Sequence, residues 1–246
     1  MPGSRLPPDL DDAFERVRTG PHVFVVRSDV REALEALGLD RSPASPGGAT
    51  SPEGGRGGAW IAPLPAVGEI VIRPGRRGGW FGRWIHSRYF LGDRFVDELI
   101  LTERLRRRGA PVPEPLAAVR RRHRPGYETW LVTRRIPGVV PAAEAWADAP
   151  GGRLFDRLEA AGRAVGRLHA AGGEHADLNA WNVLVGGDEA WIIDLDRGRL
   201  RPAPLARARA AANLARLRRS LAKLGLAEAL EAWPAFERGY ASVLDA

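Results

Sequence analysis

The chain has 246 residues, no cysteine, five histidines and a formal net charge of +7 at pH 7. The missing cysteine excludes disulfides, thiolate catalysis and Cys-ligated zinc or iron–sulfur sites, and the five histidines are too scattered for a His-based metal site. The length suits one large domain or two small lobes; the positive charge, nearly all arginine with Lys223 the only lysine, points to an anionic partner.

Residues 22–26 read as a short strand and 29–38 as a short helix closed by Gly38. Residues 40–58, rich in Ser, Pro and Gly, read as a linker whose end, Gly54 to Gly58, runs into the strand-like Ala59-Trp60-Ile61. The strand 69–73 follows, then a basic turn at 74–79. Phe95, Leu99, Leu101 and Leu105 recur near helical spacing and predict a helix over 93–108, stopped by Gly109. Residues 116–119 and 129–133 read as two strands around a basic turn at 120–128. Leu154, Leu158, Ala161, Val165 and Leu168 predict a long helix over 154–171. A helix over 204–224 and one initiated by Pro234 end the chain. A strand-rich first half and a helix-rich second half imply two lobes meeting near 134–141, and a cleft between lobes is the usual place for a ligand.

Residues 175–197 carry the chemistry. Asp177 and Asn182 lie five apart in a polar loop that runs into the apolar Val183-Leu184-Val185. A turn at Gly186-Gly187-Asp188 leads to Trp191-Ile192-Ile193, which ends on Asp194. The pattern predicts a β-hairpin with a catalytic loop at its entrance and a carboxylate at its exit. Asp177 can then accept a proton from an attacking hydroxyl, while Asn182 and Asp194 hold Mg2+ against ATP phosphates. His-x-Asp alone is weak. Here the Asn falls five residues on and the apolar-flanked Asp twelve beyond that, so several spacings must hold together. The plainer alternative is a surface hairpin with ordinary polar turn residues.

This order resembles the protein-kinase-like superfold and, more narrowly, the 3-deoxy-D-manno-octulosonic acid (Kdo) kinases of lipopolysaccharide assembly, over about residues 54–222. The residues that carry the resemblance are Gly55-Arg56-Gly57, Ile72-Arg73, Arg77-Gly78-Gly79, Arg94 with Glu98, and 109–113. To these add Asp177-Leu178-Asn179-Ala180, 191–196 and the late stretch Asn213 to Ser220. The resemblance implies an α+β, bilobal fold with a small β-rich N-lobe and a helical C-lobe. Residues 1–53 would be an extension, 54–136 the N-lobe and 137–246 the C-lobe. It also implies ATP and Mg2+ as cofactors, with Gly55, Arg56, Gly57, Arg73 and Glu98 at the nucleotide.

Arg73 stands where protein kinases carry lysine. A guanidinium can bind phosphates in bidentate fashion and pair with Glu98; the bland alternative is a solvent-facing charge at a strand end. The glycines at 54–58 either cradle phosphates through backbone N–H groups or form the tail of a linker. Ala176 replaces the arginine that reads activation-loop phosphorylation, so such control is not expected. Asn179 replaces a phosphate-neutralising lysine and brings no charge, which leaves Mg2+ and Arg197 or Arg199 to meet the γ-phosphoryl charge. Asn179 and Arg197 are thus candidate phosphate or acceptor contacts. His175 reads as structural. Pro74-Gly75 and Trp181 depart from the family pattern beside the nucleotide or acceptor site and leave fine specificity open.

Fifty-two residues follow Asp194, with no Ala-Pro-Glu segment and no room for a protein-docking helical subdomain. A small or glycolipid hydroxyl is therefore the expected acceptor, and no protein substrate. No apolar run approaches the ~18 residues that would span a bilayer, and residues 1–8 lack a signal-peptide core. The aromatics and arginines of 80–90 fit either a membrane interface or a buried cluster. In the helix over 204–224, Leu214, Leu217, Leu221 and Leu224 form a core stripe, with Arg216, Arg218, Arg219 and Lys223 solvated or against an acidic glycolipid. The family implies the 4-OH of Kdo on a Kdo-lipid A precursor, and a peripheral place on the cytosolic face of the bacterial inner membrane. A core heptose is the runner-up acceptor. An aminoglycoside kinase fits worse, because cationic substrates want an acidic pocket. The non-enzyme alternative, a basic pseudokinase binding nucleic acid, sits badly with intact Asp177, Asn182 and Asp194 and with the lack of a nucleic-acid motif.

Overall fold

A computed structural model describes residues 6–39, 58–75, 94–123, 126–147 and 151–244. Gly55, Arg56, Gly57, Arg77 and the aromatic–arginine segment 80–90 lie outside the described residues. Contacts divide the chain into two units, residues 1–100 with 114–135 and residues 101–113 with 136–246.

The first unit is an antiparallel sheet. Its strands are β1 (Phe14–Thr19), β2 (His22–Arg27), β3 (Trp60–Leu64), β4 (Gly68–Pro74), β5 (Pro115–His123) and β6 (Gly126–Arg134), in the order β1-β2-β5-β6-β4-β3. A short helix α1 (Arg31–Ala36) follows β2, and helix α2 (Arg94–Arg107) begins in this unit. Both faces of the sheet are covered, which is why β2 is apolar at consecutive positions rather than alternating. Phe24 and Val26 pack with Ile70, Ile72, Ala117, Val119, Trp130 and Val132 on one face, along with Leu34 of α1. Val25, Ala118 and Leu131 pack on the other with Phe95, Val96 and Leu99 of α2. The two-residue period of a strand therefore decides where Arg73 goes. Ile72 faces the first cluster, so Arg73, paired in register with Leu131, faces α2.

Three details differ from the sequence expectation. β1 was not expected; its sequence, Phe-Glu-Arg-Val-Arg-Thr, buries only Phe14, and charge is how an edge strand discourages further pairing. The expected basic turn at 120–128 is largely strand, since β5 runs to His123 and β6 starts at Gly126. There Arg121 stands opposite Glu128, a favourable cross-strand pair. The helix expected over 29–38 is a 3-10 turn at Ser28–Val30 followed by α1, ending before Gly38, whose φ of 74° suits glycine at a helix end.

The second unit is mostly helical. It holds α3 (Ala142–Ala145), α4 (Gly151–Ala170), α5 (Arg207–Leu224), α6 (Ala227–Glu231) and α7 (Trp233–Leu244), with the short strands β7 (Val140–Pro141), β8 (Gly173–Glu174), β9 (Val183–Gly186), β10 (Glu189–Ile192) and β11 (Arg199–Leu200). The β-rich first unit and helix-rich second unit meet the α+β expectation. All five α4 residues of the predicted stripe are buried: Leu154, Leu158, Ala161, Val165 and Leu168. α4 packs on α7 with almost no space between backbones. A Cβ on Gly162 would collide with the Phe236 carbonyl, and one on Gly239 with the Glu159 carbonyl. α5 starts at Arg207 rather than 204, because Pro202 and Pro204 break the preceding segment. Within the expected leucine stripe Leu217 and Leu221 are fully buried and Leu214 partly so, but Leu224 is 38% exposed.

Candidate active site

The hairpin predicted around 183–193 is observed. β9 and β10 pair antiparallel from Val183↔Ile192 to Gly186↔Glu189, with a two-residue turn whose first residue, Gly187, has φ of 56°. Val183, Val185, Ala190 and Ile192 are buried in the unit's core, so period-two packing fixes the register. One further bond, Ile193 N–H to Asn182 C=O at 3.0 Å, carries the ladder beyond the strands. Asn182 and Asp194 are thereby brought to the same end of the hairpin. Asp194 has φ of 61°, a left-handed backbone that Asp tolerates better than most residues.

The loop before β9 is held by neutral hydrogen bonds. His175 Nδ1 accepts from the Asp177 backbone N–H at 3.0 Å, and its Nε2 lies 3.0 Å from the Ile193 carbonyl. A backbone N–H must donate and a carbonyl must accept, so the ring is neutral with its proton on Nε2. Burial pushes the His175 pKa below its ordinary value, against the raising effects of the Ile193 bond and of Asp194 and Asp177. A protonated ring would put two donors face to face at Nδ1. His175 thus ties the strand leading to Asp194 to the loop that carries Asp177, in line with its reading as a structural residue.

α5 supplies the second brace. Asn213, buried on α5, accepts from His175 N–H and donates to His175 C=O, both at 3.0 Å. Arg216 Nη1 adds a bond to the same carbonyl at 3.2 Å. Further along, Ala180 N–H donates to Ser220 Oγ at 3.1 Å. Asn179 caps the 3-10 turn Ala180–Asn182 by accepting from Trp181 N–H, and its amide donates to Asp177 O at 3.0 Å and Asp177 Oδ2 at 3.3 Å. The other oxygen, Asp177 Oδ1, has no protein donor among the described residues.

Asp177, Asn179, Asn182 and Asp194 line one pocket of about 560 Å³, wholly within the second unit, with Trp181, Arg216, Arg219, Ser220, Lys223 and Leu224. Arg197 and Arg199 are exposed and outside that lining; Arg197 sits in the turn after Asp194 with φ of 60°. The sequence reading put the α5 basic residues either in solvent or against an acidic ligand. Three of them, Arg216, Arg219 and Lys223, line this pocket. Their spacing of three and four puts them on one helix face, which does not by itself tell a site from solvent.

The donor set suits Mg2+. Asn182 commits its amide N–H to the Asp177 carbonyl at 2.9 Å, leaving Oδ1 for a cation, and Asp194 brings a carboxylate to the same pocket. Among the described residues no group of three or more His, Cys, Asp or Glu could hold a metal. Mg2+ needs no such cage, since it keeps waters and takes phosphate oxygens beside one or two protein ligands.

In the first unit, Arg73 and Glu98 form the expected pair. Arg73 Nη2 lies 2.5 Å from Glu98 Oε1; the Glu98 side chain is 3% exposed and that of Arg73 31%. The guanidinium also sits over the Phe95 ring, 5.3 Å from its centroid, within cation–π range. Arg73 is therefore no solvent-facing charge.

A basic residue paired with a helix glutamate in a β-rich unit, and an Asp–Asn loop with a second Asp in a helical one, are the parts that kinase-type phosphotransferases use. The chain belongs to the lipopolysaccharide kinase (Kdo/WaaP) family, whose model matches residues 47–240. The 3-deoxy-D-manno-octulosonic acid kinase of Xanthomonas campestris pv. campestris (strain B100) is 43% identical over 178 residues, 70% of this chain and 69% of the relative. That of Xanthomonas axonopodis pv. citri (strain 306) is 42% identical over 224 residues, 88% of this chain and 87% of the relative. That of Stenotrophomonas maltophilia (strain R551-3) is 38% identical over 225 residues, 88% of this chain and 87% of the relative. A solved structure of WaaP in complex with acyl carrier protein superposes with a TM-score of 0.49 at 23% identity, covering 87% of this chain and 82% of that one. The chain is accordingly an ATP-dependent phosphotransferase of lipopolysaccharide biosynthesis.

Proposed function

We propose that the chain transfers the γ-phosphoryl group of ATP to a hydroxyl of the Kdo residue of a Kdo-lipid A precursor, the 4-OH, in assembly of the lipopolysaccharide inner core. The observation that carries this reading is the pocket that combines Asp177, Asn182 and Asp194 with the cationic face of α5. An acid–amide–acid set suits phosphoryl transfer, and a surplus of fixed cations suits an anionic acceptor. Asp177 acts as general base: its carboxylate takes the proton of the attacking hydroxyl, a bond forms from that oxygen to the γ-phosphorus, and the bond to the β–γ bridging oxygen breaks, releasing ADP. Asn182 and Asp194 would hold Mg2+, which when bound neutralises charge on the phosphate oxygens. Arg73, oriented by Glu98, binds the nucleotide phosphates, with Gly55, Arg56 and Gly57 contributing backbone N–H groups. Asn179 and Arg197 are the remaining candidates for contacts to phosphate or acceptor. In domain terms, 54–136 is the nucleotide-holding N-lobe and 137–246 the C-lobe that carries the acceptor chemistry, with 1–53 an extension whose strands β1 and β2 join the sheet of the first unit.

A peripheral place at the cytosolic surface of the inner membrane fits an acceptor anchored in lipid. No helix among the described residues is long and apolar enough to cross a membrane, and attraction of ~1 kcal/mol per basic residue near an anionic surface would add up over the arginines of 80–90. Incubating the protein with ATP, Mg2+ and either Kdo-lipid A precursor or heptosylated core, then locating the new phosphate by NMR, tests the acceptor. A phosphate on Kdo O4 is expected. Phosphate on heptose alone, or none on either, refutes it.

A further inference from the structure

We infer that Arg219 and Lys223 of α5 form the subsite that grips the carboxylate of the sugar acceptor, with Arg216 as the brace that fixes their helix against the loop. The inference rests on the acceptor reading above and narrows its cationic face of α5 to two residues and one group of the acceptor.

Arg219 and Lys223 lie four apart, one turn of α5, and both line the pocket that holds Asp177. Both are exposed. The other charged residues that line this pocket include two carboxylates, yet neither cation makes an ion pair with Asp177 or Asp194, and neither has a carboxylate partner among the described residues. Several arginines among the described residues are paired with a carboxylate. Arg201 and Arg209 bind Glu174, Arg106 and Arg107 bind Glu103, and Arg134 binds Glu114. Two cations left unneutralised on the wall of a reaction pocket have an external anion as their natural partner.

The helix that carries them is also tied to the loop by side-chain hydrogen bonds. Asn213 and Arg216 bond His175, and Ser220 receives Ala180 N–H while donating to Leu217 O at 2.6 Å. Ser220 lies between Arg219 and Lys223's turn, so the cations and Asp177 are presented from one braced body. A Kdo residue carries a carboxylate on the same ring as its hydroxyls. Fixing that carboxylate on α5 sets the ring's position and so selects which hydroxyl meets Asp177, which is the proximity that substrate-positioning cations supply. Trp181, on the same pocket wall, offers an aromatic surface for the ring's C–H face.

The nucleotide's phosphates are the other anions that these cations could meet, and kinetics separates the two. Steady-state rates would be measured with the full chain, ATP and Mg2+ on two acceptors, a Kdo-lipid A precursor and its Kdo methyl ester, for wild type, Arg219→Ala, Lys223→Ala and the double variant. Arg218→Ala, an exposed arginine of the same helix outside the pocket, is the control. A charge-assisted bond contributes about tenfold or more in affinity. The double variant should therefore raise the KM for the acid acceptor at least tenfold while the KM for ATP stays within twofold. The ester should bind wild type poorly and lose little more in the variant. Arg219→Lys should recover part of the acceptor affinity, and thermal melting should be unchanged throughout. A rise in the KM for ATP instead, equal losses on acid and ester, or wild-type kinetics in the double variant would each overturn the subsite while leaving the Kdo kinase reading intact. No turnover of the acid acceptor by wild type would overturn both.

Discussion

The two units hold their acidic groups in opposite ways. Glu98 is buried with a guanidinium against it and an aromatic ring beneath that guanidinium, so the charge pair exists before any ligand arrives. Asp177 is exposed, one of its oxygens touched only by an amide, and what keeps it in place is a set of mostly neutral bonds through His175, Asn179 and Asn213, with Arg216 adding one to the His175 carbonyl. The contrast matches the two tasks proposed for Arg73 and Asp177. A phosphate grip gains from a rigid, pre-oriented fork, whereas a general base must stay ionised and open to the hydroxyl it deprotonates.

The sharpest way to break this comparison is to remove the base. Asp177→Asn should lower kcat by ~10²–10⁴ with ATP affinity close to wild type, read from steady-state rates and equilibrium nucleotide binding. A variant that kept near-normal kcat would show that Asp177 is an ordinary loop residue.

The neutral brace can be tested apart from the base. Asn213→Ala removes the partner of the buried His175 N–H, while the His175 C=O keeps its bond from Arg216; at about 1–3 kcal/mol for a group left without its partner, a loss of that order in urea unfolding is expected together with a fall in kcat. Retained stability would mean that the loop is held by something other than α5.

His169 gives the brace a pH signature. Its Nε2 reaches Asn213 Oδ1 at 3.3 Å and its Nδ1 the Tyr240 hydroxyl at 2.9 Å. Burial pushes its pKa down to about 4, with His175 adding to the lowering and the Asn213 bond opposing it. Between about pH 6.5 and 4 the unfolded chain binds the proton and the folded one does not. The contribution is therefore complete above pH 6.5 and is lost as pH falls towards 4, by about 3 kcal/mol. Unfolding measured near pH 7 and near pH 4.5 should show a weaker pH dependence in His169→Gln than in wild type. Equal slopes would contradict the burial argument.

The smallest effect expected is on the phosphate grip. Arg73→Lys keeps the charge and loses the fork, so the KM for ATP should rise about tenfold while thermal stability changes little. Unchanged KM would reduce Arg73 to a structural partner of Glu98.

Much of this was legible in the sequence because it is local. The hairpin alternates apolar and polar residues in register with a two-residue turn, so Asp177, Asn182 and Asp194 could be brought to one end from spacing alone. Arg73 was harder, since a strand end can face either way; the sequence favoured a pair with Glu98 from its place eleven residues before Gly109, and only the sheet, covered on both faces, turns Arg73 towards α2. The pocket lining of Arg216, Arg219 and Lys223 was not legible. A basic helix face reads the same whether it meets water or a site, and here the choice is made by Asn213 and Ser220 bonding to a loop 38 and 40 residues earlier. β1 was missed for a related reason: half its side chains are charged, and only pairing with β2 makes it a strand.

The most direct test of the division of labour is a side-by-side measurement of ATP affinity and of the phosphoryl-transfer rate in a single turnover on Kdo-lipid A precursor, for Asp177→Asn and Arg73→Ala. The account predicts a double dissociation: Asp177→Asn binds ATP as wild type does and fails in transfer, whereas Arg73→Ala binds ATP at least tenfold more weakly and recovers much of its transfer rate at saturating nucleotide. Both variants losing ATP affinity equally, or Asp177→Asn transferring phosphate at the wild-type rate, would contradict it.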